Sequence, residues 1–173
     1  ARGTRRMNER PAGVVLTGGA SRRMGRDKAF VEVAGVPMVV RVADALRGAG
    51  CDPVWCQGGD LVGLRELGLA AHPDLEPGAG PVAAIDAALE RAPGGALVAA
   101  CDLPDLAPTD LQSLLGEQPA ALATEGVAHL VAWFPAGTRM PLGVTRYQTM
   151  LATLGARLVE VSAIRNVNAP ADL

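Results

Sequence analysis

Apolar residues along this chain follow two alternating rhythms. Short runs of small aliphatic residues recur, each closed by glycine, aspartate, asparagine or proline: Val14 to Leu16, Pro53 to Cys56, Leu69 to His72, Ala96 to Cys101, Ala120 to Thr124, Leu130 to Phe134 and Leu158 to Val161. Runs this short, bounded by turn signals, read as strands, with those over Val14 to Leu16, Pro53 to Cys56 and Ala96 to Cys101 of buried character. Between them the apolar residues return at helical spacing. Val39, Val42, Ala43 and Leu46 follow Pro37, placed where a first helical turn tolerates proline, and Gly48 and Gly50 close the pattern. Val82, Ile85 and Leu89 follow Gly80-Pro81 in the same way, and a weaker helix is expected over 61–67. Thr109 with Gln112, and Thr145 with Gln148, have capping-box spacing ahead of further helical patterns. Phe30 to Val33 alternates and ends at Ala34-Gly35, which predicts a short strand and turn.

Strand and helix alternate without repeat or linker. The expectation is therefore an α/β, three-layer, doubly wound fold with a mostly parallel sheet, in which ligands gather beyond the strand carboxyl ends. Composition adds that the core is aliphatic, since 49% of residues are hydrophobic and only 3% aromatic. With 173 residues, one domain over 11–173 is expected, preceded by a disordered, basic tail over 1–10 in which Met7 is a candidate native start. A net charge of −2 and a pI near 5.7 argue against a nucleic-acid or membrane-surface partner. No stretch approaches the roughly 18 apolar residues of a membrane span, and the tail lacks the apolar run of a secretory signal. Cys51, Cys56 and Cys101 are odd in number and form no Cys-x-x-Cys pair, so buried thiols in a reducing cytoplasm are expected.

Candidate chemistry begins where the first strand ends. Val14 to Lys28 reads Val-Val-Leu-Thr-Gly-Gly-Ala-Ser-Arg-Arg-Met-Gly-Arg-Asp-Lys. Gly18 and Gly19 let the backbone approach a ligand closely, while Arg22, Arg23, Arg26 and Lys28 supply positive charge, an arrangement suited to a triphosphate. A solvated turn with scattered arginines is the alternative. The stretch is not an ATPase P-loop, because Arg26 and Asp27 separate Gly25 from Lys28 and Ala29 stands where a hydroxyl is needed. Asp102, in Cys-Asp-Leu-Pro, ends a buried strand and reads either as a magnesium carboxylate completed by substrate phosphate or as a turn cap. Asp74 reads as a base contact or an ordinary turn residue. One carboxylate can accept both the N1–H and the N2–H of guanine, whereas cytosine presents an acceptor beside its amino group. Asn166 and Asn168 point the same way if the backbone is strand-like, toward the phosphates or a second substrate; otherwise they cap a helix before Pro170. Asp27 is read as structural, as are His72 and His129, and Cys101 as a core residue without a histidine to activate it.

The string from Leu16 to Lys28, L-x-G-G-x-S-x-R-M-G-x-D-K, resembles the signature of nucleotidyltransferases that activate phosphorylated small molecules. In particular it is similar to the molybdenum cofactor guanylyltransferase family, which joins GMP from GTP to molybdopterin. The closing Asn166-Val-Asn168-Ala-Pro-Ala-Asp-Leu resembles that family's N-[IV]-N-T-P-x-D-L element. The resemblance is tight over 13–38, 72–86, 99–104 and 166–173, and loose over 105–165, which would shape the pterin side. It implies a Rossmann-like fold of the nucleotide-diphospho-sugar transferase type, with GTP and molybdopterin as substrates and transient contact with cofactor-delivery or acceptor enzymes. It places Leu16, Thr17, Gly18, Gly19, Lys28, Asp74, Gly80 and Asp102 at the nucleotide, gives Lys28, Asp102 and Arg22 catalytic roles, puts Mg2+ on Asp102 and the second substrate at Asn166 and Asn168. Two departures bear on base choice: Cys56-Gln57-Gly58-Gly59 stands where the family commonly has an asparagine, and Ala84 where it often has glycine. Cytidylyl transfer to the same cofactor and nucleotidyl transfer to a sugar phosphate are the neighbouring readings. A non-catalytic nucleotide-binding regulator is the alternative of another class, and retention of both Lys28 and Asp102 argues against it.

Overall fold

The computed structural model describes residues 10–19, 27–168 and 170–173. The expectations for the tail before Arg10 and for Arg22, Arg23 and Arg26 therefore lie outside the described residues. At the centre is β1 (Ala12–Leu16), every residue of it buried. It pairs in parallel with β4 (Val54–Gln57) on one side and β6 (Gly95–Ala100) on the other. Beyond β4 lies β5 (Ala70–His72), also parallel. Beyond β6 come β8 (Val127–Pro135), β7 (Ala120–Thr124) and β9 (Arg157–Glu160). β8 runs antiparallel to both its neighbours and β9 parallel to β7, giving the order β5-β4-β1-β6-β8-β7-β9. The chain thus winds outward from β1 through β4 to β5, then returns to lay β6 on β1's other side. The carboxyl ends of β1 and β6 flank the point of reversal, where open α/β sheets form a crevice.

Two apolar layers cover the sheet, as strand periodicity requires. From β1, Val15 faces one layer and Val14 and Leu16 the other; from β6, Leu97 and Ala99 face the first and Ala96 and Val98 the second. α1 (Met38–Gly48) supplies Val39, Val42 and Leu46 to the first layer, with Leu64 of α2 (Leu61–Glu66) and Leu111 and Leu114 of α4 (Pro108–Leu114). α3 (Pro81–Glu90) and α5 (Tyr147–Thr153) fill the second with Val82, Ile85, Met150 and Leu151. Among the described residues no helix is long and apolar enough to cross a membrane.

Three local expectations are corrected. Phe30 closes a 3-10 turn over Lys28–Phe30 because Asp27 accepts the Ala29 N–H at 3.1 Å and bends the chain; the strand that follows, β2 (Glu32–Val33), is two residues long and pairs with β3 (Val36–Pro37). Neither capping box forms. Pro108 at the first helical position starts α4 before Thr109 can cap it, leaving Ala107 as the cap. At α5 the cap is Arg146, one residue after Thr145, and the Gln148 amide donates to the Ala128 carbonyl at 2.7 Å instead of returning to its own helix.

The second layer rests on few large side chains, and Phe134 is fully buried among mostly small ones. Phe134→Ala is expected to lower the unfolding free energy by about 3–5 kcal/mol, since alanine neighbours cannot collapse into the void. Urea denaturation measures it, and a loss under about 1 kcal/mol would contradict this account of the core.

Candidate active site

Hydrogen bonds lace the carboxyl ends of β1, β4 and β5 together. Thr17, buried just beyond β1, donates its hydroxyl to the carbonyls of Gln57 (3.1 Å) and Gly58 (2.7 Å), and Gly18 N–H also reaches Gln57 O (3.1 Å). Gly58 N–H continues to His72 O at 2.8 Å. Two glycines are needed here for space. The Asp74 carboxylate lies so close over Gly18 and Gly58 that a Cβ on either would collide with it, and Gly58 also has φ +81°. Gln57, itself buried, holds the turn before Asp74 by donating Nε2 to Pro73 O at 2.9 Å.

Burial raises the Asp74 carboxyl above its ordinary pKa, and the neighbouring Gln57 amide pulls it partly back. That amide gives one of its two hydrogens to Pro73 O, and Asp74 Oδ1 is buried without a hydrogen-bond partner among the described residues. An acceptor in that condition calls for a donor.

The opposite wall carries charge. After β6 the ladder runs one bond further, Cys101 N–H to Leu16 O at 3.2 Å, before the chain turns at Asp102. Lys28, presented by the Asp27-capped turn, places Nζ 3.4 Å from Asp102 Oδ2 and 2.6 Å from Asn168 Oδ1. The Lys28 and Asp102 side chains are only 14% and 18% exposed, so this pair is shielded from most of the solvent. Val167, fully buried, anchors the terminal segment by donating its N–H to Asp102 O at 2.9 Å.

A cleft of about 350 Å³ opens between these walls. Of the sequence candidates, Leu16, Gly18, Gly19, Lys28, Asp74, Gly80 and Asp102 line it. Asn168 joins through Lys28, while Thr17 lies beneath as a brace and Asn166 is exposed. α3 opens at the cleft with Gly80 as cap and Pro81 as first residue, and a helix amino end in that place suits an anion. Glu76, Ala100 and Leu130 also line it. No sequence signal marks Leu130, because it arrives on the antiparallel strand β8. A second cleft of about 390 Å³, between Arg10, Asp52 and Arg91, opens at the amino ends of the strands, away from this chemistry.

Among the described residues nothing in the cleft is an activated nucleophile. Burial pushes the Cys101 thiol up to about 12, and Asp102 beside it acts in the same direction. His129 pairs with Thr124 Oγ1 at 2.9 Å and His72 packs edge-on against Trp55, with ring centroids 6.0 Å apart. For a metal, the described residues hold no cluster of three or more His, Cys, Asp or Glu. They do bring one carboxylate and one amide oxygen, Asp102 Oδ2 and Asn168 Oδ1, around a single cationic position now taken by Lys28 Nζ. Such hard, sparse oxygen donors fit a magnesium ion that keeps waters and substrate phosphates in its shell, and fit softer transition metals poorly.

A profile of the MobA-like NTP transferase domain matches residues 13–167. The chain is 45% identical over 97 residues to a probable molybdenum cofactor guanylyltransferase of Pelotomaculum thermopropionicum, covering 56% of this chain and 47% of that protein. It is 38% identical over 129 residues to the molybdenum cofactor guanylyltransferase of Rhodobacter capsulatus, covering 71% and 67%. With a probable one of Mycobacterium avium it shares 34% over 153 residues, covering 86% and 74%. The chain thus spans about half the length of the first relative and two thirds or more of the other two. Molybdopterin-guanine dinucleotide biosynthesis protein A of Archaeoglobus fulgidus superposes with a TM-score of 0.70 at 22% identity, over 93% of this chain and 94% of that one. A Mycobacterium tuberculosis protein solved in complex with manganese does so with 0.70 at 17%, over 94% and 95%. At these identities the structural likeness speaks for the fold alone.

The contact between Gly18 and Asp74 has a measurable consequence. Gly18→Ala is expected to cost about 1–3 kcal/mol by overpacking. In the double variant Gly18→Ala/Asp74→Ala much of that loss should be recovered, a coupling that urea unfolding of both singles and the double reads directly. Strict additivity would mean that the two residues do not press on one another.

Proposed function

This chain belongs to the MobA-like NTP transferase family, and on that premise we propose that it is a nucleotidyltransferase of molybdenum cofactor synthesis, moving GMP from GTP onto the phosphate of molybdopterin with release of pyrophosphate. The observation that carries this reading is that a single cleft has Asp74 on one wall, with one carboxylate oxygen unpartnered among the described residues, and the Lys28–Asp102 pair on the other. In this reading the first receives the base and the second the phosphates. Guanine matches Asp74 because N1–H and N2–H can both be given to one carboxylate. Gly18, Gly19 and the first turn of α3 would bring backbone N–H groups to the triphosphate; the catalytic role of Arg22 rests on the family resemblance alone.

Asp102 would hold magnesium, with Asn168 remaining on Lys28. When bound, the ion would offset the charge of the triphosphate and polarise its α-phosphoryl group; the manganese complex of the M. tuberculosis neighbour is consistent with a divalent ion in this fold. Lys28 then lies where negative charge grows on the departing pyrophosphate, and most acceleration in phosphoryl transfer comes from such positioned charge. The acceptor phosphate is already ionised, so it needs no general base. Cys101, its thiol up at about 12, is no nucleophile, which favours one direct displacement in a ternary complex. Asn166 and Asn168 border the acceptor side. The reading carries cytoplasmic work beside the enzymes that deliver or take up the cofactor.

Cytidylyl transfer is the second reading, left open by Gln57 beneath Asp74 and by Ala84 on the cleft wall, where the sequence departs from the family pattern. Calorimetric titration with GTP and CTP in magnesium separates the two. GTP is expected to bind more tightly, and Asp74→Ala to remove about 1–3 kcal/mol of that preference; equal loss for both nucleotides would reject the base contact. The preference should also fade on acidification. Asp74 must be ionised to accept two hydrogens, and because its pKa is raised, protonation sets in above the ordinary carboxylate range as pH falls.

Asp102→Ala is expected to lower pyrophosphate release from GTP and molybdopterin by about 100-fold or more, with an unchanged circular dichroism spectrum. Lys28→Ala should act similarly and weaken GTP binding as well. Incubation with GTP labelled at the α-phosphate tests the route: label fixed on the protein would refute direct displacement. Release with a sugar phosphate in place of molybdopterin would reassign the acceptor.

A further inference from the structure

The terminal segment that carries Asn168 is held in place at two points. At one, fully buried Val167 gives its N–H to Asp102 O at 2.9 Å, and Asn168 then meets Lys28. At the other, the hold is ionic. Asp105, three residues beyond Asp102, accepts from Arg165 Nε at 2.6 Å through one oxygen and from Arg41 Nη2 at 3.3 Å through the other. Arg41 sits on α1 and is itself fixed, donating Nε to Pro104 O at 2.9 Å and Nη1 to Val33 O at 3.4 Å. Arg165 also reaches Asp172 O at 3.4 Å, and Asp172 Oδ2 accepts the Asn168 N–H at 2.8 Å. One carboxylate therefore joins α1, the loop after β6 and the terminal segment.

We propose that Asp105 is a positioning residue, whose bridge between Arg41 and Arg165 keeps the terminal segment docked so that Asn168 reaches Lys28 and steadies its ammonium beside Asp102. The catalytic half of this inference rests on the function proposed above; the docking half does not. Asp105 and Arg165 are 43% and 39% exposed, and ion pairs in that condition add little to global stability. Their effect is local. Among its described residues the segment buries one side chain completely, Val167, with Ile164 only partly buried against the core, so a small ionic contribution changes how often it is in place. Asp105 touches neither the cleft nor Lys28, so it can act only through Arg165 and the backbone it holds.

The test uses the full chain with Asp105→Ala, Arg165→Ala and the double variant. Hydrogen exchange at the Val167 amide, read by NMR, should speed up about three- to tenfold in Asp105→Ala while Leu97 and Val98 in β6 are unchanged, a scale set by two half-exposed ion pairs acting together. The double variant should exchange no faster than Arg165→Ala, because both residues act through one link. In nucleotidyl transfer kcat should fall, by no more than that factor, with KM for the nucleotide within about twofold and the melting temperature unmoved, a split that general destabilisation would not produce. Unchanged Val167 exchange in both single variants would overturn the proposal, and so would faster exchange with kcat unaltered. Should the unsubstituted chain transfer no nucleotide, the proposed function falls, and the exchange comparison still decides whether Asp105 holds the segment.

Discussion

One ammonium group joins three distant parts of this chain. Lys28 Nζ lies between Asp102 Oδ2 and Asn168 Oδ1, partners 74 and 140 residues away in sequence. The ion pair is mostly withdrawn from solvent, so neither charge is well hydrated alone and each depends on the other. The turn before α1, the end of β6 and the chain terminus are thereby held to one point. The cleft beyond the carboxyl ends of β1 and β6 has that point in one wall.

Parallel pairing of β1 with both β4 and β6 makes such a meeting achievable. Parallel strands deliver all their carboxyl ends to one side, and the reversal of winding at β1 separates the loops enough to leave a crevice. Small residues let the walls approach. β6 reads Gly-Ala-Leu-Val-Ala-Ala, and Gly18 and Gly58 give the Asp74 carboxylate room that no side chain could share. Among the described residues Asp74 Oδ1 has no hydrogen-bond donor, and a ligand could supply one.

Around this centre the charge is arranged in tiers. Lys28 and Asp102 face the cleft; Asp105 with Arg41 and Arg165 lies outside, where solvent weakens each pair. The inner pair bears on the chemistry and the outer set on whether the terminal segment is in place, a division that follows from burial alone.

Much of this was legible in the sequence. Runs of buried aliphatic residues closed by turn formers marked the strands of the sheet, because a strand covered on both faces admits little else. The glycine string through Lys28 and the Cys-Asp-Leu-Pro turn marked the cleft, because close backbone approach and fixed carboxylates leave few residue choices. Capping was misread at Thr109 and Thr145 since the spacing of a capping box cannot show that Pro108 sets the helix start or that Gln148 finds a strand carbonyl instead. Only tertiary structure decided that Lys28 pairs with Asp102 and Asn168, that Leu130 reaches the cleft, and that Asp105 bridges two arginines. Pattern and propensity act over a few residues, and these contacts join positions whose proximity comes from strand order, which no local signal encodes.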